Sequence, residues 1–182
     1  MSEFEESALL DDHEIRGLTD RPLPSEYLNE GMAGLPVSRR MSREMALRAA
    51  YVIEMRDCSI EEVMRDPLVT DAQPVSEFSK RLIAHTVTYR EQLDEVIRNK
   101  IERWEFHRVA VIDRLVLRMA VAEMLYFDDV PPKVSMNEAI EIGKKYSTEN
   151  SGRFINGVLD SIYGDMGRHE KTPQTGVTKT LN

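Results

Sequence analysis

The sequence predicts an all-α fold made of two small helical bundles docked side by side. Apolar residues recur three and four positions apart through each long segment between residues 38 and 164. No segment shows the alternation of a half-buried strand. The breaks between segments carry helix stop and start chemistry, notably Pro67 and Pro131-Pro132.

Residues 1–37 read as an acidic, flexible extension, interrupted by Gly17, Pro22, Pro24, Gly31, Gly34 and Pro36. The first helix runs from about Ser38, its N-cap, to Met55. A short helix over Ile60–Arg65 ends before Pro67. Phe78, Leu82, His85 and Tyr89 form the stripe of the next helix, and helix continues from about Glu91 to Arg103 after a kink. Val109–Tyr126 is strongly periodic, with Ile112, Val116, Met119 and Ala120 on one side. Ser135 and Glu138 have capping-box spacing, with Val134 and Ala139 as the staple, so a helix is expected to open there and end near Tyr146. Ser147-Thr148 opens the last helix, whose stripe is Ile155, Val158, Leu159 and Ile162, with Gly157 placed for close packing. The predicted organisation is an extension (1–37), a first bundle (38–105), a second bundle (106–164) and a flexible tail (165–182).

A chain of 182 residues with 41% hydrophobic and 31% charged residues reads as soluble and globular. No apolar run approaches the ~20 residues that cross a bilayer, so no membrane is expected. The acidic N-terminus has no apolar signal core, and the single cysteine, Cys58, fits a reducing cytoplasm. HExxH, CxxC, GxxxxGK[ST] and GxSxG patterns are missing, and His13, His85, His107 and His169 are scattered. No cofactor, metal or catalytic residue is expected, and the chain reads as a non-enzyme.

The charge is −8 overall, yet residues 1–36 hold nine acids and two bases, or −7. From Arg39 to Arg48 the balance is +3. At about 100° per residue, Arg39, Arg40, Arg43 and Tyr51 share roughly 120° of one helix face. Met45, Ala46, Ala49, Val52 and Ile53 fill the opposite side. Guanidinium groups beside an aromatic ring are the chemistry of a phosphate-and-base surface. Cations at a helix N-terminus oppose the macrodipole by a few tenths of a kcal/mol, which points to an external anion. Arg48 lies away from this face and is a weaker candidate. Tyr51 has two readings, packing on a neighbouring helix and stacking on a base. Glu123 falls at the centre of the Ile112/Val116/Met119 face, where a carboxylate needs a buried partner; contact with another protein is the second reading.

The block RVAVIDRLVLRMAVAEMLYFDDVPPKVSMNEAIEIGKKYSTENSGRFINGVLDSIY, Arg108 to Tyr163, resembles the NusB family. Its signature parts are the ID-R-x-x-LR-x-A-x-x-EMLY helix, the D-V-P-P-K-V turn, NEAIE, and YST-E-x-S-x-x-F-x-NGVLD. VSRRMSREMALRAAY, Val37 to Tyr51, is similar to the family's arginine-rich first helix. The resemblance implies two three-helix bundles and a bacterial transcription antitermination factor. Such a factor pairs with the ribosomal protein NusE, and the pair holds boxA-like single-stranded RNA of ribosomal RNA transcripts. Other Nus factors and RNA polymerase complete the complex.

The resemblance also assigns residues. Arg39, Arg40 and Arg43 would contact RNA. Phe154, some 80–90° from the last helix's stripe, would face RNA, with packing as its other reading. Asn150 and Ser151, at a helix start, would hold a phosphate or simply cap. The family often has Asp at the position of Asn150, and the neutral amide removes a repulsion. Asp113 and Glu123 are the candidate contacts for NusE. His85 stands where the family usually has Gly and reads as a core or boundary residue; His107 replaces a frequent Asp. Two other readings are an accessory module like the helical domain fused to ribosomal-RNA methyltransferases, and a protein-interaction bundle without RNA. The acidic extension is expected to fold back over the arginine helix and compete with RNA.

Overall fold

The computed structural model describes residues 38–101 and 105–169, with side chains as far as residue 166. The expected flexible extension, and the tail beyond residue 169, lie outside the described residues. All regular structure among the described residues is helical.

Helix α1 (Arg39–Arg56) opens on Ser38, whose hydroxyl accepts from the Met41 N–H at 3.2 Å. It closes on Asp57 in the left-handed conformation. Helix α2 (Ile60–Arg65) has a full capping box between Ser59 and Glu62. Pro67 ends α2 and also opens a further turn, α3 (Pro67–Thr70), capped by Asp66. Helix α4 (Glu77–Thr88) is capped by Ser76, and Tyr89 turns the chain into α5 (Arg90–Arg98). Helix therefore stops at Arg98, short of the expected Arg103. A 3-10 turn (Phe106–Arg108) leads into α6 (Val111–Tyr126). Helices α7 (Pro132–Tyr146) and α8 (Ser151–His169) complete the fold.

The start of α7 corrects the expected capping box. Pro132 sits in the first turn, where its missing N–H costs nothing, so α7 begins three residues before Ser135. Ser135 is buried and donates to Glu123 at 2.9 Å, and Glu138 pairs with Arg40. Both residues serve tertiary contacts instead of a cap. Helix α8 also continues to His169, past the boundary expected at 164.

Helix α6 is the hub. It packs against α1, α4 and α5 on one side and against α7 and α8 on the other. Its Leu115, Val116, Leu117, Val121 and Ala122 are all buried. One apolar cluster runs from Ala46 to Ile162 across the boundary at residue 105, so the two groups of helices share a core. Two buried ionic ties reinforce this junction. Arg118 of α6 binds Asp94 of α5 through two nitrogens and reaches Glu54 of α1 at 2.9 Å. The other, between Arg43 and Glu123, belongs to the site described below.

His85 is buried, as a core or boundary reading requires. Its ring stacks on Tyr126 with centroids 4.3 Å apart. Burial, then the Arg81 charge, push its pKa down to about 4, so it is neutral near pH 7.

The close helix approach falls at a different glycine from the one expected. A Cβ on Gly157 would meet nothing within 4 Å, whereas one on Gly143 of α7 would overlap Ile155 Cδ1 of α8. Gly143→Ala is therefore expected to cost about 1–3 kcal/mol through overpacking. Gly157→Ala should raise stability by up to about 1 kcal/mol through helix propensity. Urea titration of both variants checks the pair; equal effects would contradict the packing.

Candidate nucleic-acid interface

The N-terminal turns of α1 present Arg39 and Arg40, each with a side chain 52% exposed. Each already holds an acid from the second bundle. Arg39 donates to Asp129 at 2.7 Å, beside the Phe78 ring. Arg40 grips Glu138 through Nε at 3.0 Å and Nη2 at 2.8 Å. These hydrogen bonds hold the Asp129 and Glu138 carboxyls below the usual range, so both stay ionised at neutral pH. An incoming phosphate competes with carboxylates for both guanidinium groups.

Arg43 does not face outward, and the expectation of three exposed arginines is corrected here. It is 4% exposed and lies between α1 and α6. It donates to Glu123, itself 2% exposed, through Nε at 2.8 Å and through Nη2. Glu123 thus has the buried partner it needed, and a second in Ser135. Its alternative role as a protein-contact residue is corrected by the same burial. The reason lies in the packing of α1. Both α4 and α6 cover it, so the buried arc takes in Ser42 and Arg43 as well as the apolar stripe.

Further along, α1 and α7 are joined side chain to side chain. Glu44 accepts from Lys145 and from the Tyr146 hydroxyl, each at 2.8 Å. Burial raises the Glu44 pKa, but these two hydrogen bonds outweigh it and leave it lowered. Tyr51 is 41% exposed and shares a groove with Tyr146. From Tyr146 the chain passes to Asn150, which is exposed, and into α8. The stem of Lys144 lies over Gly152 in the first turn of α8, where a Cβ would stand 2.9 Å from its Cγ. Phe154 is half-buried and packs on the core cluster.

Ser151 and Asp113 are not at the surface where they were expected. Ser151 is 1% exposed; its hydroxyl donates to Asp113 at 3.0 Å and accepts from the Thr148 N–H at 3.1 Å. Asp113 is buried in the first turn of α6, where the helix dipole favours a carboxylate, and it ties α6 to α8. Ser151 is therefore a buried cap, and Asp113 its partner. Among the described residues no group of three or more His, Cys, Asp or Glu is placed to hold a metal ion. No helix among them is long and apolar enough to cross a membrane.

Residues 40–164 match the NusB family. The chain belongs to the NusB family. It is 43% identical to the transcription antitermination protein NusB of Salinibacter ruber, over 76% of this chain and 89% of that protein. T. maritima NusB superposes with a TM-score of 0.61 at 32% identity, over 75% of this chain and 99% of the other. A chain from a crystal structure of the antitermination factors NusB and NusE in complex with dsRNA gives 0.59 at 25% identity, over 70% and 96%.

The NusB fold brings Arg39, Arg40, Tyr51 and Asn150 to the surface and leaves Phe154 at its edge. It withdraws Arg43, Ser151, Asp113 and Glu123 into ties between helices. Sequence reasoning missed two exposed lysines: Lys144, which pairs with Glu141 within α7, and Lys145, which ties α7 to Glu44 of α1. Their signal was a basic pair in the last turn of α7, immediately before the Y-S-T turn.

Proposed function

We propose that this chain is a transcription antitermination factor that binds single-stranded, boxA-type RNA of ribosomal RNA transcripts together with NusE. The observation that carries the reading is the exposed pair Arg39 and Arg40 on a face that continues through Lys145, Tyr51 and Asn150. Guanidinium groups take phosphates, while Tyr51 and Phe154 offer rings to unpaired bases. Arg43 acts on RNA only through position: its tie to Glu123 sets the angle at which α1 presents its first turn. The work is binding, not catalysis, and takes place in the cytoplasm beside RNA polymerase and the other Nus factors. The first bundle supplies the arginines and the second supplies Asn150 and Phe154.

The paired acids make RNA affinity modest for the chain alone, and a partner that adds contacts raises it through effective concentration. Gel-shift titration with boxA-like RNA, with and without NusE, tests this. Binding is expected to tighten by about tenfold or more with NusE, and a duplex of the same sequence to bind less well. Asn150→Asp, which adds a negative charge, should weaken binding at low salt. No binding to single strands in either condition would end the proposal.

A further inference from the structure

Between α1, α3 and the ends of α6 and α7 lies a groove of about 240 Å³. Tyr51, Leu68, Ile112 and Tyr146 line it, with Arg48, Arg56 and Asp66 beside them. Leu68 is 83% exposed, and with Tyr51 it leaves an apolar surface open to water next to the arginine face. Arg48 already pairs with Asp71 at 2.8 Å, while Arg56 stands exposed. Asp66 is turned to its own helix, accepting from the Leu68 N–H at 2.9 Å, so the groove is apolar at its floor and Arg56 is the exposed cation at its rim.

We propose that this groove is the docking site of the chain's own acidic segment, Glu3–Asp20. That segment interleaves five large apolar residues (Phe4, Leu9, Leu10, Ile15 and Leu18) with seven acids against one base, Arg16. Its chemistry is the complement of the groove: apolar side chains for Leu68 and Ile112, and a carboxylate for Arg56. A nucleic-acid backbone would satisfy the arginines but leave the apolar floor uncovered. Reach is ample. Ser38 to Tyr51 is about 20 Å along α1, whereas the residues from Asp20 to Val37 extend to roughly 60 Å. Docking covers Tyr51, so the segment competes with RNA for the same ring.

Only this last consequence rests on the RNA reading, so docking is tested first without RNA. A peptide of residues 1–22 is titrated into a chain lacking residues 1–36 and followed by amide shifts. That chain keeps every buried apolar residue of the described core, which runs from Met45 to Ile162. Shifts are expected at Tyr51, Leu68 and Ile112. Leu68→Gln, at a position too exposed to affect folding, should weaken peptide binding about tenfold or more. In the second arm the full chain binds single-stranded RNA less tightly than the shortened one at low salt, and Leu68→Gln in the full chain removes the difference. Absent peptide shifts, or peptide binding indifferent to Leu68→Gln, would overturn the proposal. So would a concentration-dependent dimer that fills the groove, or an RNA gain on truncation that Leu68→Gln does not reproduce.

Discussion

Glu123→Ala is expected to lower the unfolding free energy by about 3–5 kcal/mol. The substitution leaves the Arg43 guanidinium buried at 4% exposure without its two-point acceptor, and strips Ser135 of its acceptor as well. Glu138 Oε2, 3.7 Å from Arg43, is too distant and too committed to Arg40 to replace it. The cost comes from the stranded charge and not from a large net worth of the pair. Replacing both partners by apolar residues, Arg43→Met with Glu123→Leu, should therefore recover most of the loss. Urea unfolding of the two variants decides the point. A loss below about 1 kcal/mol for Glu123→Ala would mean that water reaches Arg43.

Arg39→Ala combined with Arg40→Ala is expected to weaken single-stranded RNA binding about 10- to 100-fold at low salt, with little change in stability. Stability changes little because both guanidinium groups reach solvent, and ion pairs so placed contribute about 0–1 kcal/mol. The loss of binding is electrostatic. Losing two phosphate contacts should flatten the plot of log affinity against log salt by about 1.4. The substitution also leaves Asp129 and Glu138 ionised and uncovered on the same face, adding repulsion. An unchanged slope would place the RNA elsewhere.

Local chemistry explains which elements were legible in the sequence. Ser38, the stripe of α8 and the α2 boundaries were readable because caps and periodicity act within a turn or two. The Ser135/Glu138 pair misled because capping-box spacing is also the i,i+3 spacing of a helix interior, and Pro132 had already supplied the start. Arg43 misled for a related reason. A helical wheel sorts residues by polarity, and a buried arginine paired across to α6 has the polarity of a surface one. Glu123 signalled that burial through its apolar surroundings, but nothing local named Arg43 as its partner. Gly143 and Gly157 look alike in sequence; only the path of α8 across α7 decides which of them lies against Ile155. The arginine face was legible at Arg39 and Arg40, whose side chains stay half exposed although each pairs with an acid of the second bundle.

The most direct measurement is an amide-shift titration of the full chain with boxA-like single-stranded RNA at low salt. Shifts are expected to concentrate at Arg39, Arg40, Tyr51, Lys145, Asn150 and Phe154, along the face shared by α1, the end of α7 and the start of α8. Shifts confined to other surfaces, or none at saturating RNA, would contradict that interface.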